Sequence, residues 1–336
     1  MVRLVQIDNG SERRVALVAE SRLLCITGFG SLYELGSACI REGASLSRRA
    51  QALATGESLL YDDVYSAEGE WRLLSPIDVP GAPERVLVSG TGLTHLGSAK
   101  DRQAMHAQGS ATKPMTDSMR MFELGVTEGR PEKGEIGAAP EWFYKGHGDT
   151  LQRPFAPLTV PAHAEDGGEE AEIAGIYLIA DDGTPHRIGM CAGNEFSDHR
   201  FERRNYLNLA GSKLRQCSIG PELVVGAEFR SVTGEVCIER DGAAFWQKPI
   251  ETGEENMSHS VANLEHHHFK FAGHRVPGSV HVHFFGAHSL SFGEGIELKD
   301  GDWMQVKFEG FGRALRNPID IEDKKLDRLV RAEPLA

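Results

Sequence analysis

The segment GGEEAEIAGIYLIADDG, residues 167–183, predicts a central strand of the fold. Its apolar run follows a group of glutamates and ends at the turn signal DDG, as is typical of a buried strand. Because side chains alternate between the two faces of a strand, Glu170 and Glu172 point the same way and Glu169 points the other. Two carboxylates on one face repel each other unless a cation lies between them. The pair is therefore either a solvated strand end or part of a metal site.

A third acid, Glu195, favours the metal site. It lies in GMCAGNEFSD, residues 189–198, at the end of another apolar run. Three carboxylates can supply half of the octahedral oxygen shell of Mg²⁺ or Mn²⁺, and the open positions can hold water and a bidentate 2-keto acid. Spacing alone leaves open whether Glu195 joins Glu170 and Glu172.

The rest of the chain predicts a mixed α+β fold that is mostly β. Only 199–215 and 258–268 have a helical pattern after residue 155, so the order of elements is not a regular βαβ alternation. The strand-like runs, separated by Gly and Pro turns, are EIAGIYLIA, ELVVGAEF, GEVCIER, SVHVHFFGA and WMQVKFEGFG.

The first eighty residues predict a small N-terminal α/β module. Short β-rich runs precede two helical patterns that each end at Gly, and the Pro-rich segment SPIDVPGAP at 75–83 is typical of a linker. We therefore predict domains over 1–80 and 81–336. Residues 98–140 are polar, with a short helix expected near Met115, Met119 and Phe122, and this segment is either a cover over a binding site or a surface excursion.

Composition excludes several classes of protein. The net charge of -13 and the pI of about 5.6 argue against a nucleic-acid-binding protein. The five cysteines are scattered without a CxxC pair, which favours a reducing compartment over a disulfide framework or zinc ribbon. No apolar run approaches the ~20 residues of a membrane helix. We expect a cytoplasmic protein with no membrane or nucleic-acid partner.

An ordered set of motifs covers roughly residues 75–320, and in this order it resembles the fumarylacetoacetate hydrolase superfamily. The matching segments are GTGLTH at 90–95, PEWFYK at 140–145, EAE at 170–172, NEFS at 194–197, SK at 212–213, IGP at 219–221, GDW at 301–303, EGFG at 309–312 and LRN at 315–317. The resemblance implies a mixed β-sheet roll with Mg²⁺ or Mn²⁺ at Glu170, Glu172 and Glu195. It also implies a homodimer.

The resemblance further implies roles for residues around that metal. His95 follows a Gly-rich loop, and its near-neutral pKa suits acid–base catalysis or water positioning. Lys145 and Lys213 stand at motif positions where a lysine can stabilise an enolate or transfer a proton. Substrate-binding residues are expected in two loops, and they are Thr94, Gly286, His288 and Ser289.

The sequence departs from the family pattern at several positions. These departures resemble the sugar-acid branch of the family, the branch of 2-keto-3-deoxy-L-arabonate dehydratase. Glu195 replaces the usual metal-binding Asp, His199 aligns with an Arg, and FGAHS at 285–289 replaces a TGTP loop. This branch implies a lyase of pentose catabolism that converts a 2-keto-3-deoxy-pentonate to 2-ketoglutarate semialdehyde through an enolate stabilised by the metal.

Three alternatives stay open at this point. The first is a hydrolase that cleaves a C–C bond of an acylpyruvate or a fumarylacetoacetate-like diketo acid, and the second is a non-catalytic sugar-acid-binding protein. The third is a cupin-like metal site at His281 and His283, which alternate onto one strand face. The sequence offers no matching Glu and distant His at a convincing spacing, so the carboxylate site is preferred.

Overall fold

The computed structural model describes residues 1–100 and 116–335. The strands are β1 (Val2–Asp8), β2 (Arg13–Ala19), β3 (Arg22–Cys25), β4 (Ser58–Leu60), β5 (Arg72–Leu73), β6 (Val86–Gly92), β7 (Glu141–His147), β8 (Leu151–Gln152), β9 (Leu158–Val160), β10 (Ala171–Ile179), β11 (Pro185–Asn194), β12 (Cys217–Ile219), β13 (Leu223–Val225), β14 (Val232–Arg240), β15 (Ala243–Thr252), β16 (Val280–Phe284), β17 (Trp303–Phe308) and β18 (Leu315–Ile321). The helices are α1 (Leu32–Glu42), α2 (Leu46–Leu53), α3 (Tyr61–Ser66), α4 (Asp117–Glu128), α5 (His199–Arg204), α6 (Leu209–Lys213) and α7 (Val261–Phe269). Residues 96–100 are also helical.

Two sheets organise the molecule. The larger runs in the order β4-β3-β2-β1-β13-β11-β10-β16-β6-β7, with β5, β8 and β12 joined at its sides. The smaller runs in the order β15-β14-β17-β18-β9. The larger sheet is mixed, because β10 is antiparallel to both of its neighbours whereas β16 is parallel to β6. The prediction of a mostly β fold with few helices is confirmed.

Strand β10 is buried along its whole length. On one face Ala174 and Ile176 join a core cluster, and on the other Ile173 joins a second cluster that lies towards the smaller sheet. Burial on both faces explains why this strand is continuously apolar rather than alternating. The strand therefore fixes the glutamates at its N-terminal end to the middle of the sheet.

The N-terminal segment extends the larger sheet. Strand β1 pairs antiparallel with β13, and Leu4 and Leu32 lie in the same core cluster as Ile219 and Val282. The division at residue 80 stays a prediction, and the residues on its two sides share one sheet and one core.

Two local differences from the sequence expectations have physical reasons. The predicted helix over 199–215 is interrupted, because Asn205 is extended (φ -160°, ψ 130°) and its side chain accepts a hydrogen bond from Leu207 N. Strand β15 was not predicted from the sequence, since it contains Pro249. It lies at the edge of its sheet, where proline is tolerated.

The short helix expected near residue 119 is present as α4, which contains Met119 and Phe122, whereas Met115 lies outside the described residues. Within residues 1–100 and 116–335, no helix has the length and apolar character needed to cross a membrane.

Candidate active site

Three buried glutamates converge where β10 begins and β11 ends. These strands are paired, and Glu195 N donates to the Glu170 carbonyl oxygen at 2.9 Å. One carboxylate oxygen from each of Glu170, Glu172 and Glu195 lies within 4.8 Å of the others. In the part of the chain that the structure describes, this is the group of His, Cys, Asp and Glu side chains that could hold a metal ion.

Glu169 points to the other side of the strand, as strand alternation predicts. Its carboxylate accepts hydrogen bonds from Ser291 N at 2.8 Å and from Ser291 Oγ at 2.7 Å. Glu169 therefore anchors the loop after β16 and is not part of the three-carboxylate group.

Two buried lysines contact the carboxylate group. The Lys213 ammonium donates to the carboxylates of Glu170 and Glu195 and to Ser197 Oγ at 3.0 Å. The Lys145 ammonium donates to the Glu195 carboxylate and to the Phe196 carbonyl oxygen at 2.6 Å. The positive charges therefore lie on the side of Glu170 and Glu195.

Glu172 has the least compensated charge of the three carboxylates. Burial and repulsion from Glu195 and Glu170 raise its pKa well above the usual value, against the opposing effects of Lys213 and of Gly286 N, which donates to Glu172 Oε2 at 2.7 Å. Burial also acts to raise the pKa of Glu170, but Lys213 and His199 bring it well below the usual value. Burial would lower the pKa of Lys213, but Glu170 and Glu195 raise it.

This donor set fits a hard divalent cation. Mg²⁺ and Mn²⁺ prefer carboxylate oxygens, and the convergent oxygens of the group supply them. A dication would also relieve the repulsion that Glu172 experiences from its two neighbours.

A small cavity of about 20 Å³ lies against the glutamates, which is room for roughly one water molecule or ion. Its lining combines acidic groups with apolar side chains and consists of Gly92, Leu93, Ser98, Glu170, Glu172, His199, Glu202, Ala287 and Leu290.

Sequence reasoning gave no role to two buried residues of this lining, His199 and Glu202. Both lie on α5, three residues apart, and therefore share one face of the helix. His199 Nε2 hydrogen-bonds with Glu170 Oε1 at 3.1 Å. The sequence signal that could have identified these two residues is the H-x-x-E spacing, which follows directly after the segment that contains Glu195.

His95 is buried beside the cavity rather than in its lining. Its ring nitrogens hydrogen-bond with Thr94 Oγ1 at 2.9 Å and Thr252 Oγ1 at 3.0 Å. Burial, with a smaller effect of His288, lowers the pKa of His95 to about 3. The ring is thus neutral at pH 7, and its catalytic role stays a prediction.

The four predicted substrate-binding residues occupy different places. Thr94 Oγ1 donates to the Phe285 carbonyl oxygen at 2.7 Å, and Gly286 lies against Glu172. Gly286 has φ +99°, and an added Cβ would lie 1.9 Å from Thr94 Oγ1, so a side chain does not fit there. His288 Nδ1 donates to the Glu251 carbonyl oxygen at 2.9 Å. The lining residues of this loop are Ala287 and Leu290 rather than His288 or Ser289.

His281 and His283 have hydrogen-bond partners of their own. His283 bonds with Ser89 and Thr91, each at 2.9 Å. Because the Trp142 indole can only donate, His268 accepts at Nδ1 and donates from Nε2 to His281 Nδ1 at 2.8 Å. Within the described residues, these histidines do not belong to a group that could hold a metal.

Comparison with solved structures identifies the fold. A hexagonal crystal form of 2-keto-3-deoxyarabinonate dehydratase is 16% identical, with a TM-score of 0.71 over 96% of this chain and 100% of that one. The structure of 2-keto-3-deoxy-D-arabinonate dehydratase complexed with magnesium and 2,5-dioxopentanoate matches with a TM-score of 0.69, at the same sequence identity and the same coverage of both chains. Fumarylacetoacetate hydrolase from Exiguobacterium antarcticum gives 0.62, again at 16% identity and with the same coverage of both chains.

The chain therefore has the fumarylacetoacetate hydrolase fold, in the form also found in 2-keto-3-deoxyarabinonate dehydratase. The resemblance predicted from the ordered motifs is confirmed at the level of the fold. Neither a protein-family model nor a curated protein matches the sequence. Structures of this fold include a dehydratase, an isomerase from Mycobacterium smegmatis and a hydrolase.

Proposed function

We propose that this protein is a metal-dependent dehydratase of a 2-keto-3-deoxy sugar acid and forms 2-ketoglutarate semialdehyde. The observation that carries the proposal is the buried group of three glutamates and two lysines beside a small cavity. The similarity to a dehydratase complexed with magnesium and 2,5-dioxopentanoate supports it, because that compound is 2-ketoglutarate semialdehyde.

Glu170, Glu172 and Glu195 would hold Mg²⁺ or Mn²⁺, which when bound supplies Lewis acidity towards the 2-keto acid. Lys145 and Lys213 are positively charged and buried, so they stabilise the negative charge that develops when the C3 proton leaves. The Gly286 backbone fixes the orientation of Glu172.

We propose His95 as the acceptor of the C3 proton on the resemblance of its loop to the family motif, and its pKa of about 3 would make it a weak base. Lys213 holds its proton firmly because of its two carboxylate partners, whereas His95 is a neutral imidazole at pH 7. Leu93, two residues before His95, lines the cavity. His95→Gln is expected to abolish exchange of C3 protons with solvent.

The test is incubation of purified protein and Mg²⁺ with a 2-keto-3-deoxypentonate and, separately, with an acylpyruvate. Appearance of 2-ketoglutarate semialdehyde supports the dehydratase. Release of pyruvate from the acylpyruvate instead supports the hydrolase, a second candidate that the similarity to fumarylacetoacetate hydrolase favours. Tight ligand binding with no turnover of either compound supports a sugar-acid-binding protein and contradicts both enzymes.

A further inference from the structure

The surroundings of His199 hold its ring in one place. His199 begins helix α5, and the side chain of Asp198 caps that helix by accepting a hydrogen bond from Phe201 N at 2.9 Å. The buried imidazole packs on the Phe292 ring, with 5.2 Å between the ring centroids. Gly168 leaves room for the imidazole, because an added Cβ would lie 2.4 Å from His199 Nδ1. A side chain at residue 168 would therefore displace the ring.

The imidazole of His199 has one polar partner among the described residues. Its Nε2 lies 3.1 Å from Glu170 Oε1, whereas the buried Nδ1 has no hydrogen-bond partner in that part of the chain. The Glu170 carboxylate is ionised beside the Lys213 ammonium and can only accept, so His199 Nε2 carries the hydrogen of this bond. The bond to Glu170 is therefore the polar interaction that compensates the burial of the ring.

The two carboxylate oxygens of Glu170 have different surroundings. Oε1 accepts from both His199 Nε2 and Lys213 Nζ, whereas no described residue donates to Oε2. The Lys213 ammonium also donates to Glu195 and to Ser197 Oγ, so its three hydrogens are shared among three acceptors. His199 is the donor committed to Glu170 alone, and its fixed ring determines where Oε1 points.

A carboxylate that is held by one oxygen presents the other oxygen to a cation. Glu170 belongs to the three-carboxylate group, and both Glu170 and His199 line the cavity of about 20 Å³, which has room for one ion. Mg²⁺ demands a near-ideal octahedral shell with short oxygen distances. Ca²⁺ accepts more oxygens at longer distances and often takes both oxygens of one carboxylate. A Glu170 carboxylate restricted to Oε2 therefore suits the smaller ion.

We propose that His199 is a positioning residue that makes the metal site selective for Mg²⁺ over Ca²⁺. Together with Lys213 it holds Glu170 Oε1, so that the carboxylate meets a bound ion through Oε2 alone. The inference rests on the metal site of the proposed function and adds the residue that determines its ion selectivity.

The experiment compares the wild-type protein with His199→Met, which removes the donor, and with His199→Gln, which keeps an N–H near the position of Nε2. Gly168→Ala keeps the imidazole but displaces it, and it replaces His199→Met if that variant does not fold. His281→Met is the control, because His281 is equally buried and lies outside the three-carboxylate group. Folding of each variant is checked by circular dichroism. Binding of Mn²⁺ is measured from the EPR signal of the free ion, and Mg²⁺ and Ca²⁺ are titrated against bound Mn²⁺.

His199→Met is expected to bind Mg²⁺ at least about tenfold more weakly, because a hydrogen bond that orients a metal ligand is lost. Its Ca²⁺ affinity is expected to fall much less, since the freed carboxylate can use both oxygens. The ratio of Mg²⁺ to Ca²⁺ affinity should therefore fall in His199→Met and in Gly168→Ala. His199→Gln should keep most of the wild-type ratio, and His281→Met should keep all of it.

A wild-type ratio in His199→Met overturns the inference. Equal weakening of Mg²⁺ and Ca²⁺ binding also overturns it, because a merely structural role affects both ions alike. A ratio in His199→Gln as low as that in His199→Met contradicts it too, since the donor would then not be the property that matters. Wild-type protein that binds none of the three ions gives a different result, because it overturns the metal site of the proposed function itself.

Discussion

Glu172 combines complete burial with two carboxylate neighbours, and its charge is the main electrostatic cost of the site without a cation. Burial, Glu195 and Glu170 all raise its pKa, and the backbone N–H of Gly286 only partly opposes them. A group in this setting gains most from a bound dication.

Replacing Glu172 with Gln is expected to weaken Mn²⁺ binding by at least roughly tenfold, because a ligand and its charge are lost. The same variant is expected to be more stable than the wild type without metal, since the repulsion is also lost. Calorimetric titration and thermal unfolding measure the two effects. Glu169→Gln is the control, because that carboxylate bonds with Ser291 on the other side of the strand, and its Mn²⁺ affinity should be unchanged. Equal affinity loss in both variants contradicts the assignment.

Lys213 lies over the Phe143 ring at 4.7 Å and contacts two of the glutamates. Lys213→Met leaves the carboxylates without this buried partner, so the free energy of unfolding of the metal-free protein should fall by about 3–5 kcal/mol. Lys248→Met removes an exposed ion pair with Glu294 and should cost at most ~1 kcal/mol. Urea denaturation measures the free energy of unfolding of both variants. A similarly small decrease in both would show that Lys213 is not needed to compensate the charge of the buried carboxylates.

At the scale of elements, pairing of β10 with β11 assembles the metal position. The sequence predicts that Glu170 and Glu172 share a face, because that depends only on strand periodicity. It does not predict that Glu195 joins them, since this depends on the register that places Ala171 opposite Asn194. The sequence also gives no role to Glu202, for a related reason. Its position in the cavity lining depends on where α5 ends and on how the buried face of that helix packs.

A buried carboxylate, Glu222, joins elements from both ends of the chain. It follows the Gly220–Pro221 turn and accepts hydrogen bonds from the Tyr61 hydroxyl at 2.9 Å and from Arg313 N at 3.1 Å. Arg3 on β1 pairs with it at 3.1 Å. The carboxylate therefore ties β1 and α3 to the part of the larger sheet that continues to β13.

Tyr61→Phe removes one of these hydrogen bonds without changing the packing of the ring. The loss of a buried bond to a charged group should lower the free energy of unfolding by about 1.5–3 kcal/mol. Tyr144→Phe is the matched control, because the hydroxyl of Tyr144 bonds with His147 at an exposed position. Chemical denaturation that finds no difference between the two variants would refute this role of Glu222.

At the scale of the molecule, the order of motifs along the chain predicts the fold that the structural comparisons confirm. The continuity of the larger sheet into the N-terminal segment could not be predicted, because β1 pairs with β13 more than two hundred positions away. Local patterns identify strands, whereas their partners depend on the packing of the whole chain.

Buried neutral histidines are distributed over the structure. Burial lowers the pKa of His95, His281 and His283 to about 3 and that of His259 to about 4, and it also lowers the pKa of His268. In the unfolded chain these groups titrate near the ordinary value of about 6.5. The unfolded state therefore takes up protons below that pH, whereas the folded state does not.

The folded state should consequently lose stability as the pH falls from about 6.5 towards 4, by about 1.4 kcal/mol per pH unit for each such histidine. Asp166, whose pKa burial raises to about 6, opposes this trend, because its folded form takes up a proton first. Replacing both His281 and His283 with Gln measures the contribution of these two histidines to the pH dependence. The slope of the unfolding free energy against pH should fall by about 3 kcal/mol per pH unit. Urea denaturation at pH 7, 6 and 5 measures the slope, and His186→Gln, at an exposed position, should leave it unchanged. A slope that is the same in the double variant and the wild type would mean that these rings take up protons in the folded protein at the same pH as in the unfolded chain.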